Sequence, residues 1–224
     1  MSATGGGDFY QDSQKQRSRA VVAAAALGFA RADLVLAGIR YQHDRIGPGT
    51  GIVVGGGLPL LVSRLRGQVT RFVGDDGYRA WRFKLGPEGG ILGAHLGVFY
   101  TRDQSPGTPS LNGAATEASL PLLPGVTARA GAGYGVTSDH VYAALATLGA
   151  GWSPVHSIEI SAEVGRTRGA ASTTALAPSG PTAVRPLQRL PLLGGGGGEG
   201  SNGSAPPPAP TLTTGLLSVR VSFP

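Results

Sequence analysis

The chain has no cysteine, a single methionine and few charges: only 14% of its 224 residues are Asp, Glu, Lys or Arg. Without cysteine there are no disulfides and no thiolate metal sites, although export through an oxidising compartment remains compatible with the composition. No apolar run reaches the ~20 residues that a membrane-spanning helix needs. The longest, Ala20 to Ala30, has the length of a signal-peptide core. The motifs of common chemistries are missing as well. Gly55-Gly56-Gly57 lacks the helix and lysine that complete a phosphate loop, and there is no dinucleotide fingerprint, zinc spacing or serine-hydrolase elbow. The sequence therefore offers no cofactor, no metal and no catalytic residue. Its net charge of +6 is spread along the chain with few interleaved aromatics, which is not a nucleic-acid footprint.

Glycine is abundant at 38 residues, with 17 prolines. Low charge and much glycine suit a β protein whose outer face meets lipid, and also a soluble glycine-rich chain. Because only helices and closed barrels satisfy every backbone polar group in lipid, insertion into a membrane would require a barrel.

The first 32 residues have the layout of a secretory leader. A basic stretch (Lys15, Arg17, Arg19) precedes the apolar run and the small-x-small triplet Ala30-Arg31-Ala32. The expected organisation is a signal peptide over residues 1–32 and a barrel domain over 33–224. The alternative is that Val21, Ala23, Ala25, Leu27 and Phe29 form one face of a first strand.

From Asp33 onward the sequence alternates with period two between turn residues. In Leu34 to His43 the alternation sends Val35, Ala37, Ile39 and Tyr41 outward and Arg40 and Gln42 inward. Leu65, Gly67 and Val69 oppose Arg64, Arg66, Gln68 and Thr70, with Arg71 left on the lipid face. Trp81, Phe83 and Leu85 oppose Ala80, Arg82 and Lys84, and a turn is expected at Gly86 to Gly90. Tyr142 to Trp152 has aromatic ends and a small apolar middle, as a membrane band flanked by girdles would. This predicts an all-β, up-and-down antiparallel transmembrane barrel of about 10 strands, at most 12. An even count puts short turns on one side and long connections on the other. Counting Ala20 to Ala30 as one more strand breaks that parity, which favours cleavage after Ala32. Residues 168–210 are low-complexity, with a five-glycine run and a triple proline, and read as a long outer loop.

Ten charged residues are expected to line the lumen: Arg40, Arg64, Arg66, Arg82, Lys84, Arg129 and Arg220 against Glu117, Glu159 and Glu163. Tyr41, Trp81, Tyr100, Tyr134, Tyr142, Trp152 and Phe223 are the expected interface aromatics.

The closing run Ser218-Val219-Arg220-Val221-Ser222-Phe223-Pro224 resembles the last strand of small bacterial outer-membrane β-barrels, although Pro224 replaces the usual terminal aromatic. The resemblance implies export through the periplasm and residence in the outer membrane of a Gram-negative bacterium. It also implies recognition by the barrel-insertion machinery and contact with outer-membrane lipid and lipopolysaccharide. Four readings of function follow. The first is a structural or binding barrel with a lumen filled by side chains. The second is a narrow porin-like channel that prefers small anionic solutes. The third is a peptidase at the outer rim, where His43-Asp44, Asp75-Asp76, Asp103 and Asp139-His140 would gather. That set resembles the omptin proteases, but omptins space the residues so that both point inward, whereas adjacent residues here point to opposite sides. The fourth is a soluble, secreted glycine-rich β protein.

Overall fold

A computed structural model describes residues 2–12, 15, 17–29, 32–43, 47–75, 77–106, 109–155, 157–169 and 211–223. They form twelve strands: β1 Ser2–Asp12, β2 Arg17–Phe29, β3 Ala32–His43, β4 Gly47–Pro59, β5 Arg64–Gly74, β6 Arg79–Ile91, β7 Ala94–Gln104, β8 Leu111–Leu123, β9 Val126–Thr137, β10 Tyr142–Val155, β11 Ile158–Gly169 and β12 Thr211–Phe223. Each strand pairs antiparallel with its sequence neighbours, and β1 pairs with β12, so the sheet closes into a barrel. Closure leaves no unpaired edge, the condition for spanning lipid with strands.

Two strands therefore join the ten expected, and both come from residues 2–29. Parity argued against one extra strand but is indifferent to two. In β2 the outward residues are Val21, Ala23, Ala25 and Leu27, while Ala20 and Val22 are buried inside. β1 holds little alternation to read because three of its residues, Gly5, Gly6 and Gly7, carry no side chain.

Ser2, Phe223 and the strand ends at the β2–β3, β4–β5, β6–β7, β8–β9 and β10–β11 connections lie at one end of the barrel. The strand ends at the β1–β2, β3–β4, β5–β6, β7–β8, β9–β10 and β11–β12 connections lie at the other, the long-connection end. The proposed outer loop falls largely outside the described residues. The turn expected at Gly86 to Gly90 lies elsewhere: β6 runs on to Ile91, and Leu92-Gly93 makes the reversal with φ of 52° and 81°. Two consecutive positive φ values are the signature of the tight hairpin turn that matches strand twist. The glycines before it stay in the ladder, and Glu88 between them points inward to Arg66.

Candidate functional site

The candidate site is the barrel interior. From β5 to β12 the inward faces follow the alternation read from the sequence; β3 is inverted. Val35, Ala37, Ile39 and Tyr41 are buried inside, and Arg40 lies outside, paired with Asp75 at 2.6 Å. Arg40 is thus not a lumen residue, and Tyr41, 2% exposed, is not an interface aromatic. Leu34 and Leu36 occupy the outer face of β3 instead. Apolar residues on both faces give the strand no contrast, and the inner set wins because it joins an apolar cluster across the lumen.

That cluster unites Ala20, Val22, Ala37, Ile39, Tyr41, Val53, Phe72, Tyr78 and Ala80 from β2 to the start of β6. Tyr41 and Phe72 meet edge-on with ring centroids 6.1 Å apart, a favoured geometry for aromatic pairs. Glycine makes the fit possible: a Cβ at Gly49 would collide with the hydroxyl end of Tyr41 and the Val73 carbonyl. On the facing wall Phe99, Leu111, Ala115, Ala143 and Leu145 are also buried.

Charged groups occupy the rest of the interior in pairs. Arg64 meets Asp33 at 2.8 Å, Arg66 meets Glu88 at 3.0 Å, Arg82 meets Asp103 at 3.5 Å and Arg220 meets Asp8 at 2.6 Å. Lys84 pairs with Glu117, and Arg129 with Glu159. Lys84 also lies over the Phe99 ring at 3.9 Å, and Arg82 over Phe72 at 5.7 Å. Glu163 borders a cavity of about 180 Å³ lined also by Arg66, Gln68, Lys84, Glu88, His95, Glu117, Arg129 and Ser161.

Four carboxylates of these pairs, Asp8, Asp33, Glu88 and Asp103, were not on the expected lumen list. Counting them, the described inward side chains carry six Arg or Lys (Arg64, Arg66, Arg82, Lys84, Arg129, Arg220) and seven carboxylates (Asp8, Asp33, Glu88, Asp103, Glu117, Glu159, Glu163). The lining is balanced rather than basic. Opposite charge across neighbouring strands could have revealed Asp8, Glu88 and Asp103 once register was known, whereas Asp33 reaches Arg64 over the intervening β4.

The remaining aromatics, Trp81, Tyr100, Tyr134, Tyr142, Trp152 and Phe223, lie on the outer wall and are 40–62% exposed. Tyr134 stacks on Tyr142 and Trp81 on Phe83 near the long-connection end. Between these aromatics and Trp152 with Phe223 at the other end, the outer faces of the strands are apolar or small. An apolar wall with aromatic borders on a closed sheet is the surface of a membrane barrel.

The rim residues do not converge. Asp75 accepts two hydrogen bonds from Arg40, which hold its carboxyl below the ordinary carboxylate range. Asp103 is inside with Arg82, and Asp139 accepts from Thr137. Asp44, Asp76 and the side chain of His43 lie outside the described residues. Among the described residues no group of three or more His, Asp or Glu could hold a metal ion.

No protein-family model and no curated protein matches the chain. Solved structures of bacterial outer-membrane channels do share its fold. A KdgM porin in complex with disordered oligogalacturonate matches with a TM-score of 0.60 at 10% identity, over 99% of both chains. The NanC porin matches with a TM-score of 0.63 at 7% identity, over 97% of this chain and 98% of that one. An outer membrane channel from Pseudomonas putida F1 matches with a TM-score of 0.63 at 9% identity, over 99% and 95%. The chain is a closed antiparallel barrel with the fold of outer-membrane porins.

Proposed function

We propose that the protein is an integral outer-membrane β-barrel that is closed by its own side chains and acts as a structural or binding element. The observation that carries this reading is the filled interior. The Tyr41–Phe72 cluster occupies one wall, Phe99 and Leu111 lie buried on the other, and paired charges occupy the rest around a cavity of about 180 Å³. A pore for anions needs a surplus of fixed cations along its path. Here the inward carboxylates equal or exceed the cations, unlike what a polyanion such as the oligogalacturonate held by the KdgM porin would require.

Planar-bilayer recording tests the proposal. The native barrel should give no discrete conductance steps, and Tyr41→Ala/Phe72→Ala should create them by emptying the apolar cluster. Reproducible steps from the native protein would overturn the closed reading. The second reading, a narrow channel, draws on the cavity beside Arg66, Lys84, Arg129 and His95. It requires those steps, with a reversal potential on the anion side in a salt gradient.

A further inference from the structure

Eight arginines lie on the outward faces of their strands: Arg17 and Arg19 on β2, Arg40 on β3, Arg71 on β5, Arg79 on β6, Arg102 on β7, and Arg166 and Arg168 on β11. All eight sit toward the long-connection end. At the other end the outward faces carry no charge among the described residues; they hold Leu58, Leu65, Ile91, Leu122, Trp152 and Val219. Single-signed charge confined to one border of a lipid-facing wall is not needed to close a barrel. Of the described acids at this end, Asp75 pairs with Arg40 and Asp139 accepts a hydrogen bond from Thr137, and neither is paired with Arg71, Arg79 or Arg102.

The densest part of this border surrounds Trp81. Arg71 is opposite Trp81 across the β5–β6 ladder and stacks on its ring at 5.2 Å. Arg79 is two residues back along β6, and Arg102 is opposite Phe83, two residues on. Register therefore puts the backbone of all three arginines within about one diagonal step, roughly 7–8 Å, of that of Trp81. Below Arg102 an apolar furrow of about 730 Å³ runs down the wall, opened by Gly56 and Gly67 and bordered by Leu65, Leu85 and Tyr100. A cationic head above an apolar furrow is complementary to an amphiphile with an anionic head and a hydrocarbon tail. Arginine matches phosphate because its planar fork can donate two parallel hydrogen bonds.

We propose that this border holds a phosphorylated glycolipid of the facing leaflet, with its phosphates on Arg71, Arg79 and Arg102 and an acyl chain in the Gly56–Gly67 furrow. The inference rests on the membrane reading above and adds a partner to it.

The test uses the full chain, refolded in zwitterionic detergent and transferred to phosphatidylcholine vesicles. Three vesicle sets are compared: phosphatidylcholine alone, with lipopolysaccharide, and with phosphatidylglycerol at matched charge. Native mass spectrometry counts the lipid kept by each barrel after extraction. The native barrel should retain lipopolysaccharide in preference to phosphatidylglycerol. Each arginine replaced should weaken retention roughly fivefold, and Arg71→Gln/Arg79→Gln/Arg102→Gln together on the order of a hundredfold. Equal retention by the native and triply substituted barrels overturns the proposal, as does equal retention of the two anionic lipids. If the triple variant fails to fold, the single variants carry the same comparison. Mobility of the unheated against the boiled samples reports the barrel independently. A native protein with no heat-dependent shift would refute the membrane reading itself, whereas a normal shift without lipid enrichment would refute only the lipid site.

Discussion

Replacing Arg82 by methionine should destabilise the barrel by about 3–5 kcal/mol, because it leaves Asp103 charged and buried. The two residues face each other across the β6–β7 ladder, 3.5 Å apart, with side chains 9% and 2% exposed. At an effective dielectric of about 20, two unit charges at that distance attract by roughly 5 kcal/mol, which offsets the desolvation of both. Arg82 also lies over Phe72, a contact of about 0.5–2 kcal/mol. Arg82→Met keeps most of the volume and removes the charge. Arg82→Met/Asp103→Leu removes both charges and should recover all but about 1 kcal/mol, since a buried pair exchanged for apolar groups of similar size is often neutral. Urea unfolding in phospholipid vesicles, followed through Trp81 and Trp152 fluorescence, measures each variant. A double variant as unstable as the two single losses combined, within ~0.5 kcal/mol, would show the pair uncoupled and refute the reasoning.

Gly49→Ala should destabilise the barrel because its methyl group would collide with the hydroxyl end of Tyr41 and the Val73 carbonyl, and adding Tyr41→Ala should restore part of the loss; unfolding in the same vesicles distinguishes relief from simple additivity. Asp75 should titrate below its ordinary value of 3.8, since Arg40 stabilises the charged form. The stability this pair contributes is present above that value and is lost as pH falls through the depressed one. Carboxyl carbon NMR should show Asp75 returning toward 3.8 in Arg40→Gln. Removal of residues 1–32 deletes β1 and β2 and leaves β3 and β12 each with one unpaired edge, so the shortened chain should lose its heat-dependent gel shift. A normal shift would mean that the remaining strands close by themselves and that cleavage after Ala32 is tolerated.

Much of the architecture is legible in the sequence wherever the two faces of a strand differ in kind. In β6, Trp81, Phe83 and Leu85 against Arg82 and Lys84 leave one answer for a barrel in lipid, and the same holds for Ile158 and Ile160 against Glu159. β3 defeats that rule because Leu34 and Leu36 compete with Val35, Ile39 and Tyr41. Only contact with Phe72, 31 residues beyond Tyr41, decides which set goes inside. The interior cations were readable, with Arg40 wrongly placed among them, and so were Glu117 and Glu159, but the other four partners were not. Glu88 looks like part of a glycine turn, Asp103 like a rim acid, Asp33 like the residue after a cleavage site and Asp8 like part of a leader. Each becomes a partner only through register between strands, which period-two alternation does not encode. The arginine border was legible only in part, through Arg71 on the lipid face: the strands run further toward the long connections than their apolar cores suggest, and Arg102 and Arg168 read as loop.

The pairing of β1 with β12 also has a temporal meaning. Gly7 and Arg220, joined by a hydrogen bond across this seam, are 213 residues apart, and Arg220 also pairs with Asp8 there. Bringing such distant ends together costs roughly 5 kcal/mol of chain entropy beyond a constant, and β12 is the strand that covers this edge of β1. Until β12 docks, the sheet keeps a bare edge on each side, sticky toward any other strand. The seam therefore acts as a completion check. A molecule truncated by even one C-terminal strand keeps most of its contacts and yet never becomes a sealed object, so length is verified by closure itself.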